Sequence, residues 1–567
     1  MPRKISIGTQ DFKQLIAEDS FYIDKTLFIK EWWEEKDSVT LITRPRRFGK
    51  TLTMSMLNYF FSNRHENSAE LFKDLEIWKD EKYRKLQGTY PVIFLSFADV
   101  KQTTFEQARL KINQIISDVY SNMQWLVEQK FISSNDREFF QKVKDDMDTS
   151  TATAALQRLC QWLEKYYHKK VLIFLDEYDT PMQEAYLNRY WEELTDFMRS
   201  LFNSTFKTNP SMERAVMTGI TRISKESVFS DLNNLTVITT TSTKYADCFG
   251  FTEKEVFAAM DEQGVKPEEK ALVKEWYDGF TFGETNDIYN PWSILNYLDT
   301  GKLDVYWANT SGNGLVGSLL QKSDKDTKMK FEQLMRRDVI NVPIDEQIIF
   351  QQLDTRRYAI WSLLLASGYL KIVDHETPAE AKPGKRPMYR LAITNYEVLK
   401  MFENLITDWF EENEYFSEFV TAMLNGDVKA MNIYMNKVAL SIFSYFDTGK
   451  SPESEPERFY HGFVLGLLVE NAADYTVRST RESGYGRYDV LLEPKLIKPG
   501  RKAVIMEFKV LDKDGNEKEL TDTAKNALQQ IEEKQYATEL LEKGVREDDI
   551  LKYGFAFEGK TCLILRG

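Results

Sequence analysis

At 567 residues the chain is too long for one hydrophobic core, which sets an expectation of roughly two to four domains. Its 42% apolar and 29% charged residues are ordinary globular composition and exclude a chain dominated by disorder, while a net charge of −14 counts against non-specific coating of nucleic acid. Three widely spaced cysteines and four scattered histidines argue against a disulfide framework, a thiolate or histidine metal centre and a Ser/His/Asp triad, so carboxylates must carry any metal chemistry.

The cysteine usage fits a reducing compartment, and the start MPRKISIGTQDFKQLI has no apolar signal region. No apolar run approaches the ~18 residues of a membrane span. The expected location is the cytoplasm, with no membrane partner.

In the first third, short β-branched apolar runs recur: Val39 to Thr43, Val92 to Phe97, Val171 to Asp176, Ala215 to Ile220 and Leu235 to Thr240. Helical spacing separates them, as in Leu52, Met56, Tyr59 and Phe60. Strands apolar on both faces and alternating with helices predict a parallel sheet covered on both sides, with ligands at the carboxyl ends of the strands.

The first run leads into TRPRRFGKT, Thr43 to Thr51. Its tail, Gly49-Lys50-Thr51, is how a phosphate-binding loop ends: backbone N–H groups before a helix favour a phosphate, Lys50 reaches the terminal phosphates and the Thr51 hydroxyl can ligand Mg²⁺. Arg44 stands where such a loop opens with glycine, and Pro45 restricts Arg44 to extended conformations, so a different loop entry is expected. The third run ends in Asp176-Glu177, which places an Asp to hold the Mg²⁺ shell and a Glu to orient or deprotonate water; the competing reading is that both acids cap the next helix. After the fourth run, Thr218 can sense a γ-phosphate and Arg222 can act as an arginine finger, although Arg222 could equally pair with Asp231 in a structural bridge. Arg46 and Arg47 complete the nucleotide-binding candidates.

RPRRFGKT, the strand ending in DEYD, TGITRISKES, YIDKT (Tyr22 to Thr26) and YNPWSILNYL (Tyr289 to Leu298) together resemble the AAA-ATPase-like family of bacteria and their mobile elements. The resemblance implies that RPRRFGKT is a family variant of the phosphate loop and that a PD-(D/E)XK nuclease-like domain lies at the C-terminus. In YIDKT and YNPWS a structural role is expected: Asp24 and Thr26 cap a helix, and Asn290-Pro291 is an N-cap followed by proline at the first helical position.

From about Glu253 the pattern becomes helical, and a helix ending near Ala366 followed by strands Tyr369 to Val373 and Met388 to Ile393 suggests a winged-helix module. Lys382, Lys385, Arg386 and Arg390 would make its wing basic, for a phosphate backbone or merely for solubility. Tyr396 to Phe446 reads as amphipathic helix, and SPESEPE, Ser451 to Glu457, as a linker. The resulting domains are 1–250, AAA-like ATPase; 251–400, helical with a winged helix; 401–456, helical connector and linker; and 457–567, nuclease-like.

Behind the linker a helix is expected over Arg458 to Ala473, then strands Tyr488 to Leu492 and Ala503 to Val510. A turn at Lys498-Pro499-Gly500 sets Asp489 opposite Glu507, with Lys509 two residues on and so on the same face as Glu507. Two converging carboxylates suit Mg²⁺, and Lys509 can orient or activate water. The D-x17-E-x-K pattern resembles the PD-(D/E)XK signature with Tyr488 in place of its proline, and the resemblance implies that Gln530 and Tyr536 support the site.

The fold class is therefore α/β: an N-terminal P-loop NTPase (AAA-like) parallel sheet, a helical and winged-helix middle, and a C-terminal α/β PD-(D/E)XK nuclease-like domain. The function expected is an ATPase that regulates a Mg²⁺-dependent nuclease, endo- or exonucleolytic, acting on nucleic acid, with DNA the first choice. ATP and Mg²⁺ are the implied cofactors, one ion at the nucleotide site and one or two at the nuclease-like site. The alternative is an ATP-dependent switch or nucleic-acid-binding protein that does not cut. A homo-oligomer is compatible with AAA-type ATPases, but no residue here establishes one.

Overall fold

The computed structural model describes the chain outside residues 1–2, 66, 222–227, 230–231, 309–313, 346–352, 354–355, 357, 377–379, 382–385, 412–415, 443–473, 484–485, 512–516 and 559–560. It divides into two compact units, Met1–Met401 and Phe402–Gly567. None of the described helices is long and apolar enough to cross a membrane.

The first unit is built on five parallel strands: β1 (Val39–Thr43), β2 (Val92–Ser96), β3 (Val171–Asp176), β4 (Met212–Gly219) and β5 (Leu235–Ile238), in the order β2-β3-β4-β1-β5. Every residue of β1 and β3 is buried, because successive side chains enter opposite cores. Leu41, Ile173 and Met217 join one cluster with helices Phe105–Ser121 and Thr149–Tyr167; Ile42, Phe174 and Val216 join the other with helix Lys50–Phe61. This is the α/β parallel architecture expected of a P-loop NTPase. With β4 between β1 and β3, the carboxyl ends of those three strands lie side by side, which is what brings Arg44, Asp176 and Thr218 into one neighbourhood.

A small antiparallel sheet follows, β6 (Phe251–Thr252), β7 (Phe280–Phe282) and β8 (Thr285–Tyr289) in the order β6-β8-β7, packed with helices Glu253–Glu262, Glu269–Tyr277 and Pro291–Thr300 around Val256, Tyr277, Tyr289 and Tyr297. Asn290 is the N-cap expected, accepting from the Trp292 N–H at 2.9 Å with Pro291 next. Asp24 and Thr26 differ from expectation. Thr26 makes no side-chain cap to its own helix, Leu27–Glu35; instead Asp24 accepts from Glu76 N–H (2.7 Å) and Thr26 from Ile77 N–H (3.2 Å), so the pair caps the short helix Glu76–Lys79, distant in sequence.

Helix Ala359–Ala366 leads into the hairpin of β10 (Leu370–His375) and β11 (Met388–Ile393), and the unexpected β9 (Ile340–Pro343) pairs with β11. Lys382 and Lys385 lie outside the described residues. Arg386 and Arg390 do not form the free basic patch considered from sequence: they pair with Asp345 (3.1 Å) and Asp374 (3.7 Å).

The second unit has a mixed sheet of β12 (Tyr475–Ser483), β13 (Gly486–Pro494), β14 (Ala503–Val510), β15 (Ile550–Glu558) and β16 (Thr561–Arg566) in chain order, parallel only between β14 and β15. Strands β12, β15 and β16 were not among the elements read from sequence. One face packs on helices Phe416–Asn425 and Val428–Ile442, which come from the residues read as a connector; the other packs on helix Leu520–Glu533 through Ile505, Ile531 and Tyr536. Asn432 and Asn436, one helical turn apart, bond the backbone N–H and C=O of Ile564 and Cys562 at 2.7–2.9 Å, covering the open edge of β16. The linker at Ser451 to Glu457 and the helix expected over Arg458 to Ala473 lie outside the described residues.

Candidate functional site

The phosphate loop leaves the carboxyl end of β1 and enters helix Lys50–Phe61 through Gly49, whose φ of +78° requires the conformational freedom of glycine. Arg44 turns inward and is fully buried. Its guanidinium donates to the carbonyls of Thr43 (3.0 Å), Thr239 (2.8 Å) and Tyr245 (3.3 Å) and lies 4.3 Å from the centre of the Phe282 ring. Burial lowers its pKa to about 10. Arg44 thus occupies the glycine position by staple, tying β1 to the chain beyond β5. Arg47 takes φ +64°, a left-handed conformation that costs a non-glycine residue about 1–2 kcal/mol.

Lys50 is buried, and its ammonium donates to the Arg44 carbonyl at 2.9 Å and the Pro45 carbonyl at 2.7 Å. Burial pulls its pKa down to about 8 against the attraction of Glu177, Asp179 and Asp176. The Lys50 charge therefore stands between the loop and the acids of β3. Asp176 is fully buried, accepts from the Thr218 hydroxyl and has its pKa raised by burial, an effect opposed by Thr218, Thr51 and Lys50. Its second oxygen, Oδ2, is buried and within the geometric limits of a hydrogen bond meets no partner among the described residues, although the Thr51 hydroxyl is near enough to act on the carboxylate. A buried carboxylate oxygen beside a threonine hydroxyl is an all-oxygen donor set that fits Mg²⁺.

Glu177 follows with φ +51°; its N–H donates to Thr218 Oγ1 (3.3 Å) and its carboxylate accepts from Thr180 (3.1 Å). The helix beyond, Thr180–Leu187, has Asp179 as its N-cap residue but no side-chain cap, so capping by these acids is not what the structure shows. The Asp179 carboxylate instead accepts from Ile220 N–H (2.9 Å), Thr221 N–H (2.8 Å) and the Thr221 hydroxyl (2.9 Å), fastening the end of β4 to the acidic turn. Burial raises its pKa, with those hydrogen bonds opposing the rise. A Cβ on Gly219 would stand 2.7 Å from Asp179 Oδ1, so that approach needs glycine. Sequence reading passed over Asp179; the signal available was a fourth acidic-turn residue with no helix cap to make.

Of the remaining nucleotide candidates, Arg46 donates to Gln183 Oε1 at 3.2 Å and the Arg47 guanidinium lies 4.3 Å from the Trp292 ring centre. Arg222 lies outside the described residues. Lys50, Thr51, Asp176, Glu177 and Thr218 are brought together.

In the second unit, β13 pairs with β14 as Val490↔Met506, Leu491↔Ile505 and Leu492↔Val504, the register of a hairpin symmetric about Lys498. Asp489 lies one residue beyond the last paired step, and its charge and that of Glu507 both act on Tyr536. The Asp489 carboxylate itself accepts the Phe508 N–H at 2.8 Å. Alternation along β14 puts Glu507 and Lys509 on the face of Ile505, toward helix Leu520–Glu533, while Met506 and Phe508 face the opposite core. Glu507 is buried, and Gln530 donates to its Oε1 while lying 3.3 Å from the Tyr536 hydroxyl. Burial raises the Tyr536 pKa; the Gln530 hydrogen bond opposes this, and the charges of Glu507 and Asp489 add to it. Gly554, opposite Glu507 on β15, makes the approach of that helix feasible, since a Cβ there would collide with the Ala524 carbonyl. The Asp489 and Glu507 carboxylates, on adjacent strands, are oxygen donors suited to Mg²⁺.

Residues 6–229 match the family model of predicted AAA-ATPases, and residues 455–566 match that of the PD-(D/E)XK nuclease superfamily. The chain thus carries an AAA-ATPase-like domain and a PD-(D/E)XK nuclease-superfamily domain. It is similar along nearly its whole length to an uncharacterized protein in the vnfD 5′ region of Azotobacter chroococcum mcd 1, with 25% identity over 556 residues, 96% of this chain and 94% of that one.

Proposed function

We propose that the protein is a cytoplasmic, nucleotide-regulated, Mg²⁺-dependent nuclease that cleaves phosphodiester bonds of nucleic acid, DNA in the first instance. At the nucleotide site Lys50 bears on the terminal phosphates of ATP, Thr51 and Asp176 would hold Mg²⁺, Glu177 positions or deprotonates the attacking water and Thr218 senses the γ-phosphate. At the second site Asp489 and Glu507 would hold Mg²⁺, which when bound supplies Lewis-acid polarisation of the scissile phosphate. Lys509 orients the attacking water, and Gln530 with Tyr536 holds the Glu507 carboxylate in place. The observation that carries this reading is Glu507, a carboxylate costly to bury, held by Gln530 on the strand whose Phe508 N–H is taken by the Asp489 carboxylate.

The test is cleavage of supercoiled and linear DNA in Mg²⁺, with and without ATP, for wild type, Glu507→Ala and Lys50→Ala. Cutting should vanish in Glu507→Ala and lose its nucleotide dependence, or vanish, in Lys50→Ala. A second reading, a nucleotide-driven switch that binds without cutting, draws on the net charge of −14 and the glycine-free loop entry. It predicts ATP binding by a protein that leaves both DNA and RNA intact.

A further inference from the structure

The phosphate loop is gripped from outside the five-stranded core at almost every residue. The Phe48 ring lies 4.8 Å from Phe280 and 5.5 Å from Phe282, both on β7. Pro45 packs against Gly368, where an added Cβ would stand 2.7 Å from Pro45 Cγ. Two contacts come from the helix start at Asn290. This asparagine is fully buried and spends its carbonyl oxygen on the Trp292 N–H, as an N-cap should, while its amide nitrogen reaches 3.2 Å to the Arg46 carbonyl. Two residues on, the Trp292 ring lies under the guanidinium of Arg47. Arg47 is the non-glycine residue of the loop with positive φ, where a glycine would be unstrained.

We infer that Asn290 and Trp292 are positioning residues of the nucleotide site: they hold Arg46 and Arg47 so that the loop keeps its phosphate-receiving shape without the glycines that usually allow it. This rests on the nucleotide reading above. A cap alone needs only the Asn290 oxygen; the amide bond to Arg46 and the stack beneath Arg47 serve the loop. Binding energy otherwise used to order the loop stays available to the nucleotide, so loss of the clamp is read as weaker affinity rather than as a slower chemical step.

The test is calorimetric titration of the full chain with ATPγS and Mg²⁺, alongside the thermal midpoint of the nucleotide-free protein. Asn290→Ser keeps an N-cap oxygen and loses the reach to Arg46; it is expected to weaken ATPγS binding about five- to tenfold with little change in midpoint. Trp292→Leu is expected to weaken it similarly in the wild-type background and by less than twofold when Arg47→Gly has removed the need for support, a pattern that simple loss of packing would not produce. Affinities within twofold of wild type in both single variants would overturn the inference, as would losses that follow the midpoint and persist equally with Arg47→Gly. If wild type and Lys50→Ala are alike in failing to bind ATPγS, the nucleotide reading itself falls and the clamp with it.

Discussion

Glu507 and Gly554 face one another across the parallel ladder between β14 and β15, and the missing side chain of Gly554 is what lets helix Leu520–Glu533 lie close enough for Gln530 to reach the glutamate. Gly554→Ala must push that helix outward. The substitution is expected to destabilise the second unit by about 1–3 kcal/mol, as overpacking does, and to lower Mg²⁺-dependent cutting more than Ala substitutions elsewhere on the helix. Denaturant titration and a cleavage assay on one preparation check both.

Arg44→Met removes the donor from three buried carbonyls, those of Thr43, Thr239 and Tyr245. A cost of roughly 3–5 kcal/mol in the first unit is expected, with loss of ATP binding. A stability within 1 kcal/mol of wild type in urea would show that the staple is not needed.

Burial raises the Glu397 carboxyl from its ordinary 4.5 to about 7, against hydrogen bonds from Ser293, Trp307 and Tyr306. The folded state holds this proton more tightly than the unfolded chain, so its stabilising share is complete below about pH 4.5 and is lost as pH rises through about 7. Glu397→Gln keeps an oxygen for the two backbone N–H groups and offers its amide to Ser293. It should match wild type near pH 4.5 and exceed it above pH 7 by up to roughly 3 kcal/mol, read as a difference in thermal midpoint across that range. A variant less stable than wild type at pH 8 would contradict this.

Asn432→Ala with Asn436→Ala uncovers the backbone of β16. The amides of Cys562 and Ile564 are expected to exchange hydrogen about tenfold faster, and the variant to associate at high concentration through the freed edge. Unchanged exchange at these two amides would assign the cover to other groups.

What was legible in the sequence was local. The runs at Val39, Val171 and Ala503 become strands with the expected limits, since a strand covered on both faces reads as a mostly apolar run. The pairing register of β13 with β14 followed from the position of one turn. Strands β15 and β16 are set by their pairing with β14 and with each other, and no site motif beyond Tyr536 marks them in the sequence although ILKYGFAFE is apolar enough.

By itself the sequence determined the strand and helix alternation of the first third, the tail of the phosphate loop and the carboxylates at the end of β3 and within β13 and β14, all set by spacing within some twenty residues. Only the tertiary structure decided that Arg44 turns inward, that Asp179 fastens β4, that Asp24 and Thr26 cap a helix other than their own, and that Asn290 reaches Arg46 across a separation of 244 residues. A buried polar group takes whichever partner packing brings within about 3 Å, and packing joins segments whose order along the chain carries no record of their nearness.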